Sequence, residues 1–75
     1  MNKIRRRELN SLLNDIENIQ VELKLILDEE ESYYDNMPEN LQGSRRGLDS
    51  EESINQIDDA INSLDDAMNS LKRII

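Results

Sequence analysis

Hydrophobic residues in the last third of the chain recur at alternating spacings of three and four residues, which is the pattern of a heptad repeat. Lettered abcdefg with Ile54 at position a, this repeat places an apolar residue at each a and d position. These residues are Ile54, Ile57, Ile61, Leu64, Met68, Leu71 and Ile75. The pattern predicts a helix over about residues 49–75 with an apolar stripe on one side, which needs a partner to cover it.

A second heptad pattern runs through the first half of the chain and predicts a helix over about residues 3–36. With Leu9 at position a, the predicted seam of the core or of an oligomer consists of Leu9, Ile16 and Leu23 at a, and Leu12, Ile19, Ile26 and Tyr33 at d. Leu13, Leu27 and Tyr34 widen the stripe at position e. Glu30 interrupts the a row, either at a frayed end of the packed region or paired with an arginine of the connector. Two helices of similar length with complementary stripes predict an antiparallel hairpin.

A connector is predicted over about residues 37–48, because this segment holds both glycines and the single proline. Pro38 opposes continuation of the first helix, since it lacks an N–H and restricts the residue before it. Residues 38–42 are compatible with a short helical turn. Asp49 is the predicted N-cap of the second helix, and Ser44 is a rival cap one turn earlier.

The length of the chain, 75 residues, predicts a single domain over residues 1–75 with a thin core, because only 36% of the residues are hydrophobic. Small domains usually gain stability from disulfides, a metal or self-association. The chain has no Cys and no His, so self-association is the route that remains. We therefore predict an all-α, coiled-coil-like antiparallel helical hairpin that associates into a homodimer or larger bundle.

Charge is distributed unevenly along an acidic chain with a net charge of −8. The first seven residues carry four bases, whereas the segment 28–52 is strongly acidic. Direct binding to nucleic acid is not expected, because the molecule as a whole would repel the phosphate backbone. The sequence has no apolar run of the ~20 residues needed to span a membrane and no signal-peptide pattern, so a cytoplasmic location without membrane contact is expected.

Residues for catalysis are sparse in this sequence. It has no His, no Cys, no glycine-rich phosphate loop and no nucleophile elbow, so we expect no enzyme activity and no cofactor. The acidic pairs Asp58-Asp59 and Asp65-Asp66 recur seven residues apart, about 10 Å along a helix, which is too far for one ion to join both pairs. They are interpreted as a solvated acidic face, and no metal site is predicted.

Four residues near the connector form the candidate binding site: Tyr33, Tyr34, Arg45 and Arg46. An aromatic pair with two guanidinium groups can stack on a base and bind a phosphate. In the alternative interpretation, Tyr33 completes the apolar stripe and the arginines balance the acids around them.

The opening residues 1–9, the connector 35–47 with its Asn-Met-Pro-Glu-Asn-Leu-Gln core, and the acidic heptads resemble short proteins of phages and mobile elements of Gram-positive bacteria. The resemblance covers nearly the whole chain and implies a place in the cytoplasm of an infected or lysogenic host. It assigns no role to any residue.

Small acidic phage proteins often bind and block host proteins, including defence systems. The leading hypothesis is therefore a non-enzymatic protein that binds a host protein and inhibits or adapts it. One alternative is an assembly that sequesters a nucleotide signal through Tyr33, Tyr34, Arg45 and Arg46, and another is a structural assembly component.

Overall fold

The computed structural model describes every residue from Met1 to Ile75 and contains three helices and no strand. The helices are α1 (Lys3–Asp35), α2 (Glu39–Gln42) and α3 (Arg45–Lys72). Helices α1 and α3 pack side by side in an extended molecule of 58 × 15 × 13 Å, and α2 packs on α3 at one end. The predicted all-α helical hairpin is confirmed.

Both ends of α1 are closed by side-chain amides. At its start, the Asn2 Oδ1 atom accepts a hydrogen bond of 2.8 Å from the Arg5 backbone N–H. At its end, the Gln42 Nε2 group donates to the carbonyl oxygens of Tyr34 and Met37, at 3.2 and 3.3 Å. Terminal carbonyls of a helix have no partner within the helix, so Gln42 ties the connector to α1.

The connector is shorter than the sequence predicts, because α3 begins at Arg45 and not near Asp49. Ser44, the rival cap, is the residue before the helix and has an extended backbone. The segment after Pro38 forms the single helical turn of α2, as the sequence suggests. The predicted helix start at residue 49 is therefore wrong by about one turn.

Gly47 explains why α3 can begin so close to α2. It is buried in the first turn of α3, and a Cβ atom there would lie 2.0 Å from the Gln42 carbonyl oxygen. Any larger residue would force α2 away from α3. The absence of a side chain at Gly47 thus allows an extra helical turn where the sequence predicts connector.

The interface between α1 and α3 uses the predicted rows of α3 but a different pair of rows on α1. In α3 the a and d residues are buried or half-buried, as predicted: Ile54, Ile57, Ile61, Leu64, Met68 and Leu71. In α1 the a row is half-buried, as predicted, at Leu9, Ile16 and Leu23. The second buried row of α1 is the e row, which consists of Leu13, Gln20, Leu27 and Tyr34.

The predicted d row of α1 is not buried against α3. Leu12, Ile19 and Ile26 are 53%, 50% and 50% exposed, and Tyr33 is similarly exposed. Of the two predicted places for this seam, the hairpin core or an oligomer contact, the exposure of these residues excludes the hairpin core. The reason is that the apolar stripe of α1 covers three rows, d, a and e, and a single partner helix covers only two of them.

Polar contacts across the interface explain why α3 covers the e row. The Gln20 Nε2 group donates to the Ile61 carbonyl oxygen at 3.0 Å and to the Asp65 Oδ1 atom at 2.7 Å. The Tyr34 hydroxyl donates to the Glu51 carboxylate. Gln20 is buried, and a buried amide is costly without partners, so its hydrogen bonds fix the rotation of α1 and the antiparallel register, while the exposed bond of Tyr34 is consistent with both.

Candidate binding cleft at the connector end

A cleft of about 480 Å³ lies where the end of α1 meets the start of α3. One wall comes from the last turns of α1 and the other from the first turns of α3. Its lining is polar apart from one aromatic ring, and consists of Glu30, Tyr33, Arg45, Arg46, Asp49, Ser50 and Ser53. We refer to these seven residues as the connector-end cleft.

Three of the four predicted binding residues line this cleft, and the fourth does not. Tyr33, Arg45 and Arg46 come together there. Tyr34 is one residue further along α1 and therefore points to the opposite flank, where its hydroxyl donates to Glu51. The structure thus separates the two tyrosines that the sequence groups as one aromatic pair.

The arginines of the cleft are weakly engaged within the chain. Arg45 is the only base with a carboxylate within 4.0 Å, and its partner Asp49 lies at that limit. The Arg45 side chain is 95% exposed, so this pair contributes little to stability. Both guanidinium groups are consequently available to bind another molecule.

Glu30 has a structural role at the edge of the cleft. It is half-buried, and its Oε1 atom accepts a hydrogen bond of 2.9 Å from the Ser50 hydroxyl. Both sequence interpretations of Glu30, a frayed end and an arginine partner, are wrong, because a serine of the first turns of α3 satisfies it. Glu30 and Asp49 place two carboxylates beside the two arginines, so the cleft presents alternating charges.

The hydrogen bond between Tyr34 and Glu51 raises the pKa of Tyr34 above its ordinary value of 10.0. Burial and the negative charges of Glu51 and Asp35 act in the same direction. A carboxylate that accepts a hydrogen bond from the phenol favours the neutral form. Tyr34 therefore acts as a fixed hydrogen-bond donor that holds α1 and α3 together.

Gln20, Ser50 and Gly47 are the structurally important residues that the sequence analysis missed. Gln20 had a detectable signal, because it lies seven residues from both Leu13 and Leu27 in one row. Ser50 and Gly47 had none, since their roles depend on residues far away in the sequence or on the close approach of α2.

No three His, Cys, Asp or Glu side chains are arranged to share a metal ion. Neither long helix contains an apolar stretch that could cross a bilayer. Comparison of the chain with family models, curated proteins and solved structures found no match. Function is therefore inferred from the chemistry of the cleft and of the surface.

Proposed function

We propose that this protein is a non-enzymatic interaction protein of the phage type, which binds a host protein and inhibits or adapts it. The contact is made by the connector-end cleft, and host defence proteins are one class of target. The observation that carries this proposal is the grouping of Tyr33, Arg45 and Arg46 in one exposed cleft on a rigid hairpin.

The chemistry of the cleft suits a protein partner. Tyrosine and arginine are the residue types that most often dominate the binding energy of protein interfaces, together with tryptophan. Glu30 and Asp49 add acceptors beside them. A surface of alternating charge around one aromatic ring selects a partner of complementary pattern, and charge complementarity contributes more to specificity than to affinity.

A nucleotide-sequestering assembly is the second candidate, favoured by the same grouping of Tyr33 with Arg45 and Arg46. Two features count against it. Tyr34 is directed away from the cleft, so only one ring is available for stacking. The carboxylates of Glu30 and Asp49 also repel a phosphate placed between the arginines.

The variant Arg45→Ala/Arg46→Ala tests the proposal directly. The tagged wild-type chain and the variant are incubated with lysate of a Gram-positive host, and retained proteins are quantified by mass spectrometry. We expect a specific host protein to be retained by the wild type and lost from the variant. The melting temperature should remain nearly unchanged, because both residues are exposed.

Lys72→Ala/Arg73→Ala is the matched control, because it removes two bases from the opposite end of the molecule. It should retain the same host protein as the wild type. The proposal fails if the cleft variant retains that protein equally well, or if it melts many degrees lower, since the arginines would then be structural. A nucleotide released by heating the wild type but not the cleft variant would favour the second candidate.

A further inference from the structure

The exposed d row of α1 borders a row of mostly small residues on α3. Tyr33 of the d row lines the cleft together with Arg46 and Ser53, which occupy position g of α3. The e row of α1 contacts α3 on the opposite flank, through Gln20 and Tyr34. The d row and the g row therefore share one side of the hairpin, where the g row continues as Ala60, Ala67 and Ile74.

This side of the hairpin is an exposed apolar face, which we call the groove because the large d-row residues of α1 lie beside the small g-row residues of α3. Its wall is formed by Leu12, Ile19 and Ile26, each about half exposed, at the seven-residue spacing of a coiled-coil row. Beside these residues lie Ala60 and Ala67 of α3, whose small side chains permit another helix to approach closely. A continuous apolar row of this kind on the surface of a protein indicates an interface.

Charges at the two ends of α1 indicate what fills the groove. The first two turns of α1 carry Arg5, Arg6 and Arg7, which oppose the helix dipole and have no carboxylate within 4.0 Å in the chain. The last turns of α1 carry an excess of acids over residues 28–35. The start of α1 therefore has bases without acidic partners, and the end of α1 has an excess of acids, so the two ends of the helix are complementary in charge.

We infer that the groove is filled by a second copy of this chain, in an antiparallel two-fold dimer in which the two α1 helices face each other. Around that axis, Ile19 packs against Ile19 of the second copy, and Leu12 packs against Ile26 of the second copy. The same reversal brings the basic first turn of α1 to the acidic end of the other α1. A two-fold interface is self-complementary in this way, because each contact occurs twice.

The opposite orientation is disfavoured by charge. Parallel copies would place Arg5, Arg6 and Arg7 beside the same residues of the second copy, and the acidic ends beside each other. Like charges in contact destabilise an interface, whereas opposite charges fix its orientation. In the antiparallel dimer the two connector-end clefts lie at opposite ends, so each dimer presents two binding sites.

The oligomeric state and two single variants test the interface. Sedimentation of the full chain over a range of concentrations should reveal a dimer. Ile19→Asp should raise the dimer Kd by about 100-fold or more, because a carboxylate would be buried without a partner. Val21→Asp, the control at an exposed position of α1 outside the d, a and e rows, should leave the Kd nearly unchanged.

Orientation is tested by crosslinking, which is simple because the chain has no Cys. Mixing the Leu12→Cys chain with the Ile26→Cys chain should yield the mixed disulfide in preference to either homodimeric disulfide. A monomer at all concentrations, homodimeric disulfides, or equal effects of the two Asp variants would overturn the inference. None of these outcomes depends on Arg45 and Arg46, so the host-binding proposal stands or falls separately.

Discussion

Gly47 and Gly43 are the two glycines of the chain, and they have different tasks. Neither has a positive φ, so neither is required by backbone conformation. Gly47 is required by space, because the Gln42 backbone occupies the volume of a Cβ atom. Gly43 has no atom within 4 Å of that volume. The packing of α2 on α3 therefore depends on one glycine and not on the other.

Gly47→Ala should lower the free energy of unfolding by about 1–3 kcal/mol, the usual cost of overpacking. Gly43→Ala is the matched control and should be neutral or slightly stabilising, since it reduces the freedom of the unfolded chain. Chemical denaturation followed by circular dichroism measures both changes. Equal stability of the two variants would show that α2 does not pack against Gly47.

Tyr34 gives the fold a specific dependence on alkaline pH. Its pKa is raised in the folded state by the hydrogen bond to Glu51, so the contribution of this bond is fully present below the ordinary pKa of 10.0. That contribution is lost as the pH rises through the raised pKa. Tyr34→Phe should melt below the wild type at neutral pH, and the difference should disappear in strongly alkaline solution. A difference that stays constant throughout that range would mean that the bond does not couple to folding.

At the scale of the helices, α1 shows what local pattern can and cannot predict. The heptads predict two long helices and a hairpin, because an apolar stripe has to be covered whatever its partner. They do not decide between the d row and the e row, since both flank the a row. Apolar content favours the d row, but the e row contains Gln20 and Tyr34, whose partners on α3 decide the rotation of the helix.

Local sequence pattern is also insufficient to predict the start of α3 and the arrangement of the candidate site. Ser44 and Asp49 are both good caps by local chemistry, and the choice between them depends on how Gly47 meets α2. Three of the four predicted binding residues come together because the connector is short. The sequence analysis misplaces Tyr34, because the rotation of α1 turns it away from Tyr33 and from the cleft.

At the scale of the whole molecule, the hairpin is a rod with three surfaces of different chemistry. The a and e rows of α1 hold α3, the d row leaves an apolar groove open, and the connector end presents the charged cleft. We propose that stability, self-association and recognition rest on different rows and ends of the molecule, with Tyr33 belonging to both the d row and the cleft. Changes at well-separated positions are usually additive, so each role can be altered without altering the others.

Two adjacent leucines test which rows of α1 face α3. Leu13 is 7% exposed in the e row, whereas Leu12 is 53% exposed in the d row. The measurement is the free energy of unfolding of Leu13→Ala and Leu12→Ala, at a dilution where sedimentation shows a monomer. We expect Leu13→Ala to cost about 2–5 kcal/mol, and Leu12→Ala to cost less than about 1 kcal/mol. A loss at Leu12 equal to or greater than the loss at Leu13 would mean that the d row of α1, and not the e row, packs against α3.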